Sequence, residues 1–236
     1  MNIALLTAAG SGSRTRQDIP KQFLHVDNKP IIIYTLEAFQ KHPNIDAVIV
    51  VVLTGWVDVL WAYAKQFNIS KLKHTVLGGE TGQESIYAGL SELKKHYTEN
   101  DVVMIHDGNR PMVPQDVITD SFVTFSKYGN AVAAVPCTEV VCVSENGFNS
   151  NKSIPRETLF RTQTPHTYRF GDIFGAHQTA DELGIKNTSA SCALFELLGK
   201  ETFFSKGSEL NLKITTTDDL EIFKALLNTQ KDIWIK

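Results

Sequence analysis

The stretch from Thr7 to Phe23, TAAGSGSRTRQDIPKQF, passes from an apolar run through a string of small residues to three cations, Arg14, Arg16 and Lys21. Small residues let backbone N–H groups approach a nucleotide, and fixed cations neutralise charge that grows on phosphoryl oxygens. Phosphoryl or nucleotidyl transfer needs little more, because its catalysis is positioning plus charge neutralisation. Three other readings use less of the stretch. A dinucleotide fingerprint requires a small residue where this chain has Thr15, and an acidic residue closing the second strand, where AVIVVVLTG has none. A P-loop requires Gly-Lys-Ser or Gly-Lys-Thr, which is absent. A plain tight turn accounts for the two glycines alone.

Two further polar clusters, GGETGQES at residues 78–85 and HDGNRP at residues 106–111, also stand at the ends of apolar runs. These clusters have to be carried by something regular. The runs NIALLTA, AVIVVVL, HTVLG, DVVMIHD, NAVAAVPC and EVVCVSE are apolar on both faces, as strands of a parallel sheet covered by helices require. Between them lie helical patterns. Ile32, Leu36 and Phe39 share one face, Ile86, Leu90 and Leu93 another, and Val117, Ser121 and Phe125 a third, which Gly129 ends. The alternation predicts an α/β fold, a three-layer α/β/α sandwich around a mostly parallel, Rossmann-like sheet. Ligands of such sheets lie beyond the carboxyl ends of the strands, where the three clusters fall.

Residues 138–165 break this rhythm: they alternate apolar and polar and contain Asn146-Gly147, a hairpin signal. They read as an extended β arm within a single domain spanning 1–236, and as a candidate contact with a second subunit, since an isolated hairpin is marginal in water. Near the C-terminus, Thr217 before an acidic turn, with Leu220, Phe223 and Leu227 on one side, predicts a capped helix.

A net charge of -3 and a pI near 6.2 speak against nucleic acid as a partner. Cys137, Cys142 and Cys192 form no CxxC pair, which supports neither a disulfide framework nor a zinc ribbon. No apolar run approaches the ~18 residues of a membrane span, and the short apolar N-terminus does not read as a signal peptide. A cytoplasmic protein without membrane contact is expected.

With AAGSGSR followed by PKQFL, then GGETGQES, HDGNRP, QTP and NLKITT, the chain resembles the cytidylyltransferases that couple CTP to methylerythritol phosphate or ribitol phosphate, from about Asn2 to Leu226. The resemblance implies a nucleotidyltransferase-type sheet, CTP as co-substrate with Mg²⁺, and a homodimer joined through the arm. It implies that Thr7, Ala8, Ala9 and Gly10 meet the base and ribose, with Gly12 beside the phosphates. Arg14 and Lys21 would stabilise the α-phosphate and the departing pyrophosphate, while Arg16 has no counterpart and reads as a surface charge. Gly79, Glu80 and Ser85 would face the base, Gly108 would join the nucleotide contacts, and Asp107 would take Mg²⁺ or a ribose hydroxyl. His106 is read as shaping its loop, and Arg110 as holding it or binding substrate. Arg156 would reach across a dimer to the acceptor phosphate, which Lys213 also positions.

Two positions depart from the family pattern: Gly82 stands where a polar residue is usual, and NTSAS, residues 187–191, lacks an acidic neighbour to Thr188. The segments GWVDVL, KPIIIYTLE and NLKITTTDDL look more like the ribitol phosphate branch, which makes a sugar-alcohol phosphate the expected acceptor. Methylerythritol phosphate is the alternative, and a non-catalytic nucleotide-binding module a further one.

Overall fold

The computed structural model describes residues 1–10 and 19–233. Its frame is a seven-stranded sheet built from β1 (Asn2–Ala8), β4 (Ala47–Val52), β5 (Leu72–Leu77), β6 (Val102–Asp107), β7 (Asn130–Pro136), β10 (Phe160–Arg169) and β11 (Phe204–Lys206), in the order β11-β7-β10-β6-β1-β4-β5. All neighbours pair parallel except β10, which runs antiparallel to both β6 and β7.

Successive residues of β1 serve opposite faces of the sheet, as the two-residue period of a strand requires. Ala4, Leu6 and Ala8 pack with Ile32, Leu36, Phe39, Leu60, Val117 and Phe122. These come from α1 (Ile31–Lys41), α2 (Val57–Gln66) and α4 (Gln115–Tyr128). Ile3 and Leu5 pack on the other face with Leu90, Leu93, Ile173, Ala176, Leu194 and Phe195. These belong to α3 (Gly82–Leu93), α5 (Phe170–Glu182) and α6 (Ser191–Leu197). The result is the three-layer sandwich that the two-sided apolar runs imply. Burial of the β4 valines and Ile49 on both sides removes them wholly from water, each contributing on the order of 2 kcal/mol.

A small third cluster, Leu24, Val26, Ile31, Ile214 and Phe223, fixes α7 (Thr217–Ile233) against the two-stranded ribbon of β2 (His25–Val26) and β3 (Lys29–Pro30). The cap of α7 lies one residue earlier than expected. The Thr216 hydroxyl accepts the Asp219 N–H at 3.2 Å, and Asp219 accepts N–H groups of Thr215 and Thr216 at 2.8 Å, so Thr217 is already helical.

The expected arm divides. Val141–Val143 (β8) and Lys152–Ile154 (β9) form a separate antiparallel hairpin, so EVVCVSE is not a strand of the central sheet. Phe148 at its tip is 91% exposed and Val140 at its base 73%. Residues 160–165, also expected in the arm, instead begin β10 at the centre of the sheet. Their polar composition, FRTQTP, hid a strand whose outward groups line a cavity.

Helix α3 lies unusually close to the sheet. A Cβ on Gly89 would come within 2.8 Å of both Leu5 Cδ1 and Val51 Cγ2. Alanine gains about 1 kcal/mol of helix propensity over glycine, whereas overpacking a core costs about 1–3 kcal/mol. Gly89→Ala is therefore expected to lower the urea midpoint; an unchanged midpoint would show that α3 can lift from the sheet at no cost.

Candidate active site

Two cavities open beyond the carboxyl ends of β1 and β6. One, of ≈ 200 Å³, is lined by Thr7, Ala8, Ala9, Gly10 and Lys21 from the first loop and by Gly79, Glu80 and Ser85 from the second. The other, of ≈ 260 Å³, is lined by Gln83, Gln163, His177 and the segment Thr188–Ser191. Thr7, Gly82, Asp107 and Lys213 line both, so the cavities meet along a seam.

The first loop is held by a residue without an assigned role in the sequence reading. Gln22, 2% exposed, donates from Nε2 to the carbonyls of Ala8 at 2.6 Å and Gly10 at 3.1 Å. It thereby fixes the backbone that faces the cavity. The only sequence signal was its place beside Lys21 in PKQF. Gly12, Arg14 and Arg16 lie outside the described residues.

The second loop is shaped by the start of α3. Thr81 and Glu84 form a reciprocal cap, the Thr81 hydroxyl accepting Glu84 N–H at 3.1 Å and Glu84 Oε2 accepting the Thr81 N–H at 3.3 Å; Oε2 also accepts the N–H of Glu80 at 2.8 Å. Ser85 Oγ accepts the Gly79 N–H at 3.2 Å. Part of the Ser85 hydroxyl's capacity, expected on a base, is thus spent holding its own loop. Gly78 lets the two loops touch, since a Cβ there would collide with Ala9 Cβ and Ser85 Oγ.

Asp107 stands at the end of β6 and ties the seam together. Arg110 Nε donates to Oδ2 at 2.9 Å, and Lys213 Nζ donates to Oδ1 at 3.1 Å. Burial alone would raise this carboxyl, but Lys213 and Arg110 outweigh it and hold it well below the usual carboxylate range. Arg110 also donates from Nη1 to the Asn211 carbonyl at 2.7 Å, and Asn109 and Ile214 exchange main-chain and side-chain bonds. Arg110 therefore locks the HDGNRP loop to NLKITT, and by this route Lys213 reaches a carboxylate 106 residues earlier.

Asp107, the residue expected to take Mg²⁺ or a ribose hydroxyl, accepts one donor on each carboxylate oxygen, and each oxygen keeps a further lone pair on the side of the two cavities that it lines. Gly108, expected among the nucleotide contacts, lines neither cavity. Its N–H donates to the Thr7 carbonyl at 2.9 Å and its carbonyl accepts from Thr35 Oγ1 at 2.8 Å, which joins β1, β6 and α1 beneath the site.

Arg156 is not brought to the seam within the chain. It sits in a 3-10 turn, Arg156–Thr158, with its side chain 59% exposed, and lines a separate hollow with Cys137 and Leu159. Apart from Asp107, Arg110 and Lys213, the larger cavity is lined by uncharged groups. Gln83 accepts the N–H of Thr188 at 2.8 Å and its hydroxyl at 3.1 Å, tying α3 to NTSAS. Ser191 Oγ and His177 Nε2 are buried there without a partner among the described residues. Burial lowers His177 to about 4, so its ring is neutral. His106 is wholly enclosed, with its Nε2 3.3 Å from the Arg110 carbonyl, and burial lowers it to about 3, in keeping with a loop-shaping role.

Asp107→Asn should leave two cations facing a neutral amide and lower stability by about 2 kcal/mol in urea denaturation, because breaking a largely buried pair strands its partners. Lys213→Met, removing a side chain that is 42% exposed, should cost less than about 1 kcal/mol. Equal losses would overturn the view that Asp107 is the anchor. His106, His166 and His177 all have folded values depressed from 6.5, to about 3, about 4 and about 4, with burial as the leading cause. The unfolded chain then binds more protons between pH 6.5 and 4, and stability must fall as pH falls through that window. The loss is about 1 kcal/mol per histidine between pH 7 and 5.5. Urea midpoints across that range should show it, and His177→Gln should flatten the slope.

The geometry has relatives. The family model described as IspD, 2-C-methyl-D-erythritol 4-phosphate cytidylyltransferase, matches residues 2–229. A ribitol-5-phosphate cytidylyltransferase of Lacticaseibacillus paracasei is 41% identical over 98% of this chain and 100% of its own. That of Vibrio parahaemolyticus is 37% identical over 100% and 99%. A 2-C-methyl-D-erythritol 4-phosphate cytidylyltransferase of Clostridium acetobutylicum is also 37% identical, over 96% and 97%. Among solved structures, the Francisella tularensis 2-C-methyl-D-erythritol 4-phosphate cytidylyltransferase superposes with a TM-score of 0.78 at 28% identity, covering 94% of this chain and 97% of its own. The family match over residues 2–229, these identities over nearly the whole chain and the superposition together show that this chain belongs to the IspD family of cytidylyltransferases, enzymes that use CTP as nucleotidyl donor.

Proposed function

We propose that the chain transfers CMP from CTP to ribitol 5-phosphate, releasing pyrophosphate. The observation that carries this reading is the pair of cavities sharing Asp107 and Lys213. The loop-lined cavity takes CTP, with backbone groups from Thr7 to Gly10 and from Gly79 to Ser85 toward the base and ribose. The neighbouring cavity, with its neutral hydroxyl, amide and imidazole groups, suits a chain of alcohols. The ribitol-5-phosphate names of the Lacticaseibacillus and Vibrio relatives support that acceptor over others.

In the transfer, an acceptor phosphate oxygen attacks the α-phosphorus in line, the new P–O bond forms, and the bond to pyrophosphate breaks. A phosphate dianion needs no general base near neutral pH. Lys213 on the seam draws the two phosphates together, and Lys21 with Arg14 takes up the charge moving onto the leaving group. A Mg²⁺ accompanying CTP would neutralise triphosphate charge, and Asp107, which lines both cavities, is the residue that would hold it.

Arg156 enters from a second copy. The exposed Val140 and Phe148 and a two-stranded hairpin with no sheet behind it favour an arm that docks on a partner, in a homodimer. CTP as donor favours a cytoplasmic enzyme, and no described helix is long and apolar enough to cross a membrane.

The second reading, 2-C-methyl-D-erythritol 4-phosphate as acceptor, is favoured by the name of the family model and of the Clostridium relative. A pyrophosphate-release assay with CTP against ribitol, methylerythritol, glycerol and pentulose phosphates separates them. Ribitol 5-phosphate should dominate; a dominant methylerythritol phosphate selects the second reading, and CTP binding without release for any acceptor overturns both. Lys21→Ala should slow release by a factor on the order of 10²–10³ with the urea midpoint preserved.

A further inference from the structure

At the end of α3 opposite to the one that lines the cavities, His74 of the edge strand β5 meets Glu92 in the last turn of α3 and His96 one turn further on. Their ligand atoms all lie within 4.8 Å of one another, and they are the only such grouping among the described residues. The two imidazoles stack, with centroids 3.9 Å apart and planes inclined by 15°. His96 Nε2 lies 3.1 Å from Glu92 Oε1, close to the edge of a coordination polyhedron with bonds of ~2.0–2.2 Å. Lys95 Nζ binds the other oxygen, Oε2, at 2.6 Å, which leaves Oε1 as a single, oriented ligand atom.

We propose that His74, Glu92 and His96 bind one divalent transition-metal ion of the zinc class, with solvent completing the coordination. Two imidazoles and one carboxylate are the donor set such borderline ions prefer over magnesium or calcium, which want oxygen alone. The distances are already close to the roughly 3.4 Å that tetrahedral binding requires, but the stacked rings must unstack, one imidazole turning about χ2 and His96 giving up its bond to Glu92, before both ring nitrogens converge on one ion. Lys73 and Lys95 flank the site and keep its affinity below that of a closed four-ligand centre.

The bound ion would staple β5, the outer strand of its edge, to α3. This is the helix whose opposite end carries Thr81, Gly82 and Gln83 at the seam between the two cavities. The ion thus restrains the second loop from a distance without touching a substrate.

The test uses the full chain, stripped with a chelator and free of nucleotide. Calorimetry with Zn²⁺ should give one ion per chain, and Co²⁺ should give visible d–d bands without a sulfur-to-metal charge-transfer band. At a hundredfold excess over Kd the ion should raise Tm by roughly 5–10 °C. His96→Gln, at a partly exposed position, and Glu92→Gln should each retain the metal-free Tm and lose the metal-dependent rise. His74→Gln should likewise lose the metal-dependent rise, and a rise that survives there would overturn the three-ligand assignment. A wild-type chain with no Zn²⁺-dependent rise, a rise that survives in His96→Gln and Glu92→Gln, or a sulfur charge-transfer band pointing to Cys142 would each overturn the assignment.

Discussion

The carboxylate of Asp107, held between Arg110 and Lys213, is the interaction on which the site depends. Phosphate chemistry needs cations, and cations gathered without a counter-charge repel one another and the fold. One largely buried carboxylate solves this by anchoring both. Arg110 is committed to structure, bonding to Asp107 and to the Asn211 carbonyl, while Lys213, bonded to Asp107 and half in solvent, is the cation that lines both cavities and holds no second protein partner among the bonds described. Preorganisation of this kind lowers the reorganisation that charge development would otherwise demand.

The same economy shapes the surrounding loops. Gln22 beneath the first loop and the Thr81–Glu84 cap beneath the second use side chains to point backbone N–H and C=O groups in fixed directions. Gln83 extends that order across to Thr188, so α3 forms a wall common to both cavities. A helix that serves two subsites has to be held rigidly, and its close approach to β1 and β4 at Gly89 supplies that rigidity.

Much of the frame was legible in residue order. Strands buried on both faces announced themselves as continuous apolar runs, and α1, α3 and α4 by their 3.6-residue faces. Where burial is one-sided the signal failed. The start of β10, FRTQTP, carries polar groups because Thr162, Gln163 and Thr164 line a cavity and Arg161 is exposed and paired with Glu209, and periodicity assigned them to the arm. EVVCVSE carries strand composition but forms an exposed hairpin with no layer to cover it. The shift of the α7 cap from Thr217 to Thr216 reflects three adjacent threonines, among which only the geometry of Asp219 chooses.

The sequence by itself determined the fold class, the family and the two loops that line the first cavity, because these depend on local patterning and on motifs of fixed spacing. Only the tertiary structure decided the partners of Asp107, the structural rather than ligand-facing duty of Gly108, and the separation of Arg156 from the seam. Each of these rests on groups brought together across many residues, Asp107 and Lys213 above all, and charge compensation at such distances is a property of the folded chain. No spacing rule encodes it.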